Sequence, residues 1–115
     1  MPLISIQTSL ENIPNQKIFL EELSKEVAYI LKKPERYVMT ILNDKLTILF
    51  NGDNTPACYI ELKSVGQING KAAKELSALI CERVSNNLGL SSDRIYINMQ
   101  GVSGELWGWN GSTFG

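Results

Sequence analysis

The sequence predicts an α+β fold in which two helices pack on one face of a four-stranded mixed β-sheet. Two observations lead to this fold. Each half of the 115-residue chain reads strand, helix, strand, which indicates a duplicated β-α-β unit. Each helical segment also carries a single apolar stripe, so it can bury only one side. Because two helices cover only one face of a sheet, we expect further copies of the chain to cover the other.

The first unit begins with a strand over residues 3–8, where β-forming residues alternate with polar ones. Residues 10–15 contain two asparagines and a proline, which are typical of a loop that leads into a helix. From residue 16 to about residue 32, apolar side chains recur every three or four positions. Pro34 ends this helix, because the residue before a proline disfavours helical geometry. The stripe consists of Phe19, Leu20, Leu23, Val27, Ile30 and Leu31.

Two strands are predicted in the middle of the chain. Residues 37–42 give the second strand and, after a turn at Asn43-Asp44, residues 45–50 give a third, short strand. Residues 51–56 have the composition of a loop.

The second unit repeats the first. Residues 57–65 alternate as a strand, residues 66–70 form a turn, and residues 71–88 predict a helix. Its stripe consists of Ala72, Leu76, Leu79, Ile80, Val84 and Leu88. Gly89 is suited to end the helix in a left-handed conformation, and residues 94–100 give the last major strand.

The tail over residues 101–115 differs in composition from the rest. It holds five glycines and the aromatic residues Trp107, Trp109 and Phe114. Such a segment is too apolar to remain in solvent and too rich in glycine for a helix. We expect it to belong to a single domain, residues 1–115, and to contact a neighbouring subunit.

The net charge of −1 and the scattered lysines and arginines argue against binding to nucleic acid or to a membrane surface. No apolar run could cross a bilayer and no signal peptide is recognisable, so a cytoplasmic location is expected. Export without a signal peptide is left open by the sequence.

Histidine is absent, and the only cysteines are Cys58 and Cys81. These residues cannot form a zinc site, and we expect neither a metal nor another cofactor. The cysteines are expected to be small buried side chains, with a disulfide as the alternative. Any proton transfer must therefore depend on a carboxylate, a lysine, a tyrosine or a chain terminus.

Pro2 offers such a terminus, because methionine is usually trimmed when a small residue follows it. Its secondary amine would begin an apolar strand, and an unperturbed α-amino group has a pKa of about 8. An apolar pocket would lower that pKa and give a base suited to removing a proton next to a carbonyl. The alternative is that Pro2 only stiffens the end of the chain.

Five sequence blocks resemble the macrophage migration inhibitory factor (MIF) family of the tautomerase superfamily, over essentially the whole chain. They are Met1-Pro2, Lys33-Pro34 followed by Tyr37, Ser64-Val65-Gly66 with Gly70, residues 92–98, and residues 108–114. The resemblance implies a homotrimer whose three sheets enclose a channel, with active sites between subunits. It also implies a keto–enol tautomerase with the proline amine as base, acting on phenylpyruvate-type 2-oxo acids and dopachrome derivatives.

The resemblance assigns roles to individual residues. Pro2 becomes the catalytic base, and Lys33 pairs with the substrate carboxylate. A lysine is also favourable at a helix C-terminus without any ligand, which is the alternative for Lys33. Tyr37 would add a hydroxyl and a ring edge to the rim of the pocket.

Four further residues match family positions that bind substrate. Ser64 and Val65 correspond to a pair that lines the pocket, with plain sheet packing as the alternative. Asn98 resembles a donor to the substrate of the adjacent subunit, and Tyr96 lies on the same face of its strand. An asparagine there could instead satisfy only backbone groups.

The chain departs from animal members at several positions. Ala57 and Ile60 stand where those proteins carry a CxxC pair, so a thiol–disulfide activity is not carried over. Met99 replaces an aromatic residue, and Trp107 replaces a small aliphatic one. Trp107 and Phe114 are candidate pocket-lining residues, with packing in a trimer as the alternative for Trp107.

Two other functions compete with the tautomerase. Superfamily members that dehalogenate or decarboxylate use extra arginines, and only Arg36 lies near Lys33 in the sequence. Animal members are cytokines, so a protein-interaction trimer with vestigial activity is the alternative from a different class. No residue pattern indicates a protein receptor.

Overall fold

The computed structural model describes residues 1–115 and confirms the predicted architecture. The sheet consists of β1 (Leu3–Thr8), β2 (Met39–Asn43), β3 (Cys58–Val65) and β4 (Ile95–Val102), and the helices are α1 (Gln16–Leu31) and α2 (Gly70–Leu88). The strand order is β2-β1-β3-β4, with β1 parallel to β2 and antiparallel to β3, and with β3 parallel to β4. Each helix therefore connects two neighbouring parallel strands, as the duplicated β-α-β unit predicts.

The core lies between the helices and one face of the sheet. Alternate residues of the central strands are fully buried there, namely Ile4, Ile6, Ile60 and Leu62. The helices contribute Leu23, Val27, Leu76, Ile80 and Val84 to the same cluster. Burying one such side chain contributes roughly 1.5–3 kcal/mol, so this layer sets the register of the central strands.

The opposite face of the sheet carries no helix and is largely polar. In the register of the strands, Ser5 lies beside Glu61, and Glu61 lies beside Asn98. Asn98 is exposed, and Ser5 and Glu61 are half-buried.

Left-handed residues end both helices. At the end of α1, Lys32 has φ 55°, and the backbone N–H groups of Lys32 and Lys33 donate to the carbonyls of Tyr29 and Ala28. These two bonds form a Schellman motif, and Pro34 then prevents further helix. Gly89, with φ 73°, ends α2 as the sequence predicts.

The prediction of a strand over residues 45–50 is wrong. Lys45 has φ 59°, and this left-handed residue turns the chain away from the direction of β2. The N–H groups of Lys45 and Leu46 still donate to the carbonyls of Leu10 and Thr8. Beyond them no ladder forms, and Phe50 makes only an isolated bridge with Asp53.

The second strand also starts later than expected, at Met39, because a short 3₁₀ helix (Glu35–Tyr37) follows Pro34. The last strand continues through Gly101 to Val102. A side chain at Gly101 would force its Cβ into the carbonyl oxygen of Gly66, so only glycine fits there.

The tail folds as a hairpin. After a short 3₁₀ helix (Gly104–Leu106), β5 (Gly108–Trp109) pairs with β6 (Ser112–Thr113). Asn110 and Gly111 both have positive φ, at 51° and 81°, as in the type I′ turn that two-residue hairpins prefer. Neither helix of the fold has the length and apolar character that crossing a bilayer requires.

Candidate active site

A cavity of about 260 Å³ opens at the start of β1. Three segments that are distant in sequence line it: residues 1–3, residues 36–39, and residues 107–109 together with Phe114. Eight of the eleven lining residues are hydrophobic, and none is acidic. The cavity is therefore an apolar site with few polar groups, which is the usual character of a small-molecule pocket.

Pro2 is held firmly beside this cavity. Its carbonyl oxygen accepts a hydrogen bond of 3.0 Å from the backbone N–H of Met39, the first residue of β2. The antiparallel register pairs Leu3 with Lys63, and one further step places Pro2 opposite Ser64. The side chain of Pro2 is fully buried. The start of β1 is thus fixed between its two neighbouring strands.

The terminal amine lies in an environment that disfavours its charged form. Burial lowers the pKa of the Met1 amino group, and the nearby charge of Lys33 lowers it further. Lys33 is positioned by the end of α1, where its backbone N–H bonds the carbonyl of Ala28 at 3.0 Å. The Met1 amine at this end of the sheet therefore loses its proton more readily than a free α-amino group.

An aromatic wall closes the other side of the cavity. The ring of Tyr37 meets Trp109 edge-on at a centroid distance of 5.4 Å, and it meets Phe114 edge-on at 6.0 Å. Trp109 and Phe114 stack on each other at 5.8 Å. The hairpin turn at Asn110 brings these two rings together. The apolar residues of the tail are therefore covered in part by the chain's own Tyr37.

Arg36 supplies the only charged side chain among the lining residues. Its guanidinium carbon lies 4.8 Å from the centre of the Tyr37 ring. The side chain is exposed, so the guanidinium stands on the rim rather than at the base of the cavity.

The structure brings together Pro2, Tyr37, Trp107 and Phe114, all of which line the cavity. Lys33 does not line it, although its charge reaches the terminal amine. Four other predicted residues lie outside it: Ser64, Val65, Tyr96 and Asn98. Ser64 is buried beneath the helices, directly opposite Pro2, and Val65 follows it.

Tyr96 and Asn98 lie on the open face of β4 and are exposed, Tyr96 by 63%. The ring of Tyr96 contacts that of Phe50 at 4.6 Å. Within one chain, neither residue takes part in the cavity.

Several contributors to the cavity were not predicted as lining residues, among them Arg36, Val38 and Met39. Val38 and Met39 line it because they precede and begin the strand that pairs with β1. Met39 could have been found from strand alternation, since it lies beside Leu3. No pattern in the sequence indicated that Arg36 would reach the cavity, because its place on the rim depends on the 3₁₀ turn after Pro34.

The two cysteines form no second site. Burial raises the pKa of the Cys58 thiol to about 12, so this thiol is inert near neutral pH. Cys81 is half-buried on α2, and its thiol lies 3.9 Å from the carbonyl oxygen of Ser92. No group of three or more potential ligands is placed to hold a metal ion.

Comparisons with known proteins agree over the full length of the chain. The family model described as macrophage migration inhibitory factor (MIF) matches residues 1–115. The macrophage migration inhibitory factor of Mus musculus is 33% identical over 114 residues, which is 99% of each chain. The homolog of Trichuris trichiura is 36% identical over 117 residues, covering 99% of this chain and all of the other.

Solved structures show the same likeness. The homologue from Prochlorococcus marinus is 46% identical and superposes with a TM-score of 0.95, covering 98% of this chain and 99% of the other. The protein from Trichinella spiralis is 31% identical with a TM-score of 0.90, covering 97% and 99% of the two chains.

Proposed function

The chain belongs to the macrophage migration inhibitory factor family, and we propose that it is a keto–enol tautomerase whose base is the amine of Pro2. Its substrates are phenylpyruvate-like 2-oxo acids and dopachrome-like compounds. The observation that carries the proposal is the chain start itself. Residues 1–3 line an apolar cavity, where burial and Lys33 both lower the pKa of the Met1 amine.

Removal of Met1 is the first requirement. While Met1 is attached, the nitrogen of Pro2 is an amide nitrogen and has no basic lone pair. Once Met1 is removed, Pro2 carries a free secondary amine at the same end of β1. The same burial and the same charge of Lys33, which lower the pKa of the Met1 amine, are expected to act on the Pro2 amine and to keep more of it unprotonated near neutral pH.

The reaction is a proton transfer between carbon and oxygen. The lone pair of Pro2 removes a proton from C3 of the 2-oxo acid, so that a C–H bond breaks and an N–H bond forms. The electron pair moves into a C2–C3 double bond, and the C2 carbonyl oxygen becomes negative. The ammonium of Pro2 then returns the proton to this oxygen and gives the enol. The reverse sequence ketonises the enol, and neither direction requires an oxidant or a cofactor.

Lys33 is proposed to bind the substrate carboxylate, and its charge also favours the enolate that forms beside it. The aromatic wall of Tyr37 and Phe114, together with Trp107, holds the aryl group. Ser64 and Val65 shape the site from β3, behind Pro2.

Tyr96 and Asn98 are proposed to complete the site of a neighbouring subunit in a homotrimer. Support comes from their position: both are exposed on a polar sheet face, away from their own chain's cavity. A neighbouring subunit would add Tyr96 and Asn98 to the lining of the cavity and would contact the tail.

The test is phenylpyruvate ketonisation by protein whose intact mass confirms the loss of Met1. Protein that retains Met1, in which the Pro2 nitrogen stays an amide, is expected to show a kcat/KM lower by about 10²–10⁴-fold, the usual contribution of a general base. Pro2→Gly keeps a primary amine and should lower kcat/KM by less. Pro14→Gly is the matched control, since Pro14 is exposed and far from the cavity. Absence of turnover from correctly processed protein would refute the proposal and favour a protein-interaction trimer.

A further inference from the structure

We propose that Arg36 binds a second anionic group at the far end of the substrate. The pocket would then prefer aryl 2-oxo acids that carry a carboxylate on the ring over those with an uncharged ring. This inference rests on the proposed function only for the reacting end of the substrate. The binding preference itself follows from the residues around the cavity.

The first argument is charge. Arg36 is the only charged side chain that lines the cavity, and no aspartate or glutamate accompanies it. The four ion pairs of the chain involve other basic residues: Lys17, Lys63, Arg83 and Arg94. The guanidinium of Arg36 therefore has no anionic partner within the chain, and an anionic ligand in the cavity would meet no competing carboxylate.

The second argument is orientation. The guanidinium of Arg36 lies over the ring of Tyr37 at 4.8 Å. That ring is fixed in turn by edge-on contacts with Trp109 and Phe114. Stacking uses one face of the guanidinium and leaves the N–H groups at its edge free for a carboxylate. Arg36 is therefore partly preorganised, which reduces the entropy lost when an anion binds.

The third argument is position. Lys33 acts on the terminal amine, whereas Arg36 stands on the rim above the aromatic wall. Arg36 is three residues before Met39, whose N–H bonds the carbonyl of Pro2. Three residues span at most about 10 Å, so the backbone of Arg36 lies within this distance of Met39 and one hydrogen bond further from Pro2. A benzene ring with a substituent at each end has a length of this order. The aryl group would therefore lie between Lys33 and Arg36.

The proposal is tested by ligand binding, measured through quenching of the two tryptophans at the cavity. The probes are 4-carboxyphenylacetate and 4-methylphenylacetate, which are similar in size and differ by one charge. The wild-type protein is expected to bind the dicarboxylate about fivefold more tightly, as one exposed arginine–carboxylate pair allows. Arg36→Gln should abolish this preference, and Arg36→Lys should retain part of it.

Lys17→Gln is the control, because it removes one exposed positive charge at the start of α1, which follows the opposite end of β1 from Pro2. It should leave the preference unchanged. An equal preference in wild type and Arg36→Gln would overturn the proposal, and so would the absence of binding by both probes. Circular dichroism of each variant confirms that the fold is retained.

Neither probe is a 2-oxo acid, so the result does not depend on Pro2 chemistry. A charge preference without turnover of phenylpyruvate would refute the tautomerase and leave the role of Arg36 intact. Where turnover is found, Arg36→Gln should raise KM for 4-carboxyphenylpyruvate about fivefold more than it raises KM for phenylpyruvate.

Discussion

Replacing Arg94 by methionine is expected to destabilise the chain by about 3 kcal/mol. Arg94 is a charged residue with only 9% of its surface exposed. Its guanidinium donates to the carbonyls of Thr55 at 2.7 Å, Phe50 at 2.9 Å and Pro56 at 3.4 Å. It also contacts a carboxylate oxygen of Asp53 at 3.2 Å. One side chain thus holds the loop between residues 50 and 56 against the start of β4.

The magnitude follows from the two short bonds. A hydrogen bond to a charged group contributes roughly 1.5–3 kcal/mol, and the lower end applies because water can reach the loop carbonyls after the substitution. Two such bonds give about 3 kcal/mol. The bond to Pro56 is long, at 3.4 Å, and adds little to this sum. The ion pair with the exposed Asp53 also adds little, since exposed ion pairs contribute little. For a chain of this size, the loss corresponds to a fall in Tm of about 12 °C.

The assay is urea unfolding at a fixed protein concentration, because association would otherwise change the apparent stability. Arg83→Met is the control. Arg83 also bonds a carboxylate, that of Glu26 at 3.0 Å, but it lies on the surface between the helices. Arg83→Met should therefore lower the free energy of unfolding by much less than Arg94→Met. If the two variants lose the same stability, or if Arg94→Met loses less than about 1 kcal/mol, the reasoning from burial is refuted.

Three further predictions concern the site and the fold. Lys33→Met removes a charge that lowers the pKa of the Met1 amine, so the pKa of the Pro2 amine that takes its place should rise as well. Because the free amine is the active base, the increase of kcat/KM with pH should shift to higher pH; an unchanged profile would contradict this. Native protein should react with a thiol reagent at pH 8 at Cys81 only, since Cys58 has a pKa of about 12. Reaction of both thiols before unfolding would show that Cys58 is accessible. Gly101→Ala should destabilise the fold by about 1–3 kcal/mol through a backbone clash. Gly70→Ala should leave the stability unchanged, because nothing lies within 4 Å of the added Cβ. Thermal unfolding of the two glycine variants tests this difference.

The sequence predicted the fold well where periodicity is strong. Both helices and the strands that contain Ile4 and Ile60 were found, because one buried face dictates the spacing of their apolar residues. Residues 45–50 have the composition of a strand but make no ladder. Strand formation needs a neighbouring strand as well as suitable residues, and composition cannot supply that information.

The candidate site was predicted only in part, for a related reason. Pro2, Tyr37, Trp107 and Phe114 meet at the cavity, and motifs in the sequence marked all four. The position of Arg36 depends on how the chain turns after Pro34. Such a turn is set by local backbone geometry, which leaves no periodic pattern in the sequence.

The cavity joins segments from opposite ends of the chain, since residues 1–3 and residues 107–109 line the same space. Contacts with so large a separation in sequence close the longest loops, which carry the greatest entropic cost. A ligand that touches both segments acts as a reversible cross-link between them. At a concentration one hundred times its Kd, such a ligand adds about 2.7 kcal/mol to the stability of the folded state. The binding of a ligand in the pocket and the free energy of unfolding of the whole chain are therefore linked, and a change in one can be measured through the other.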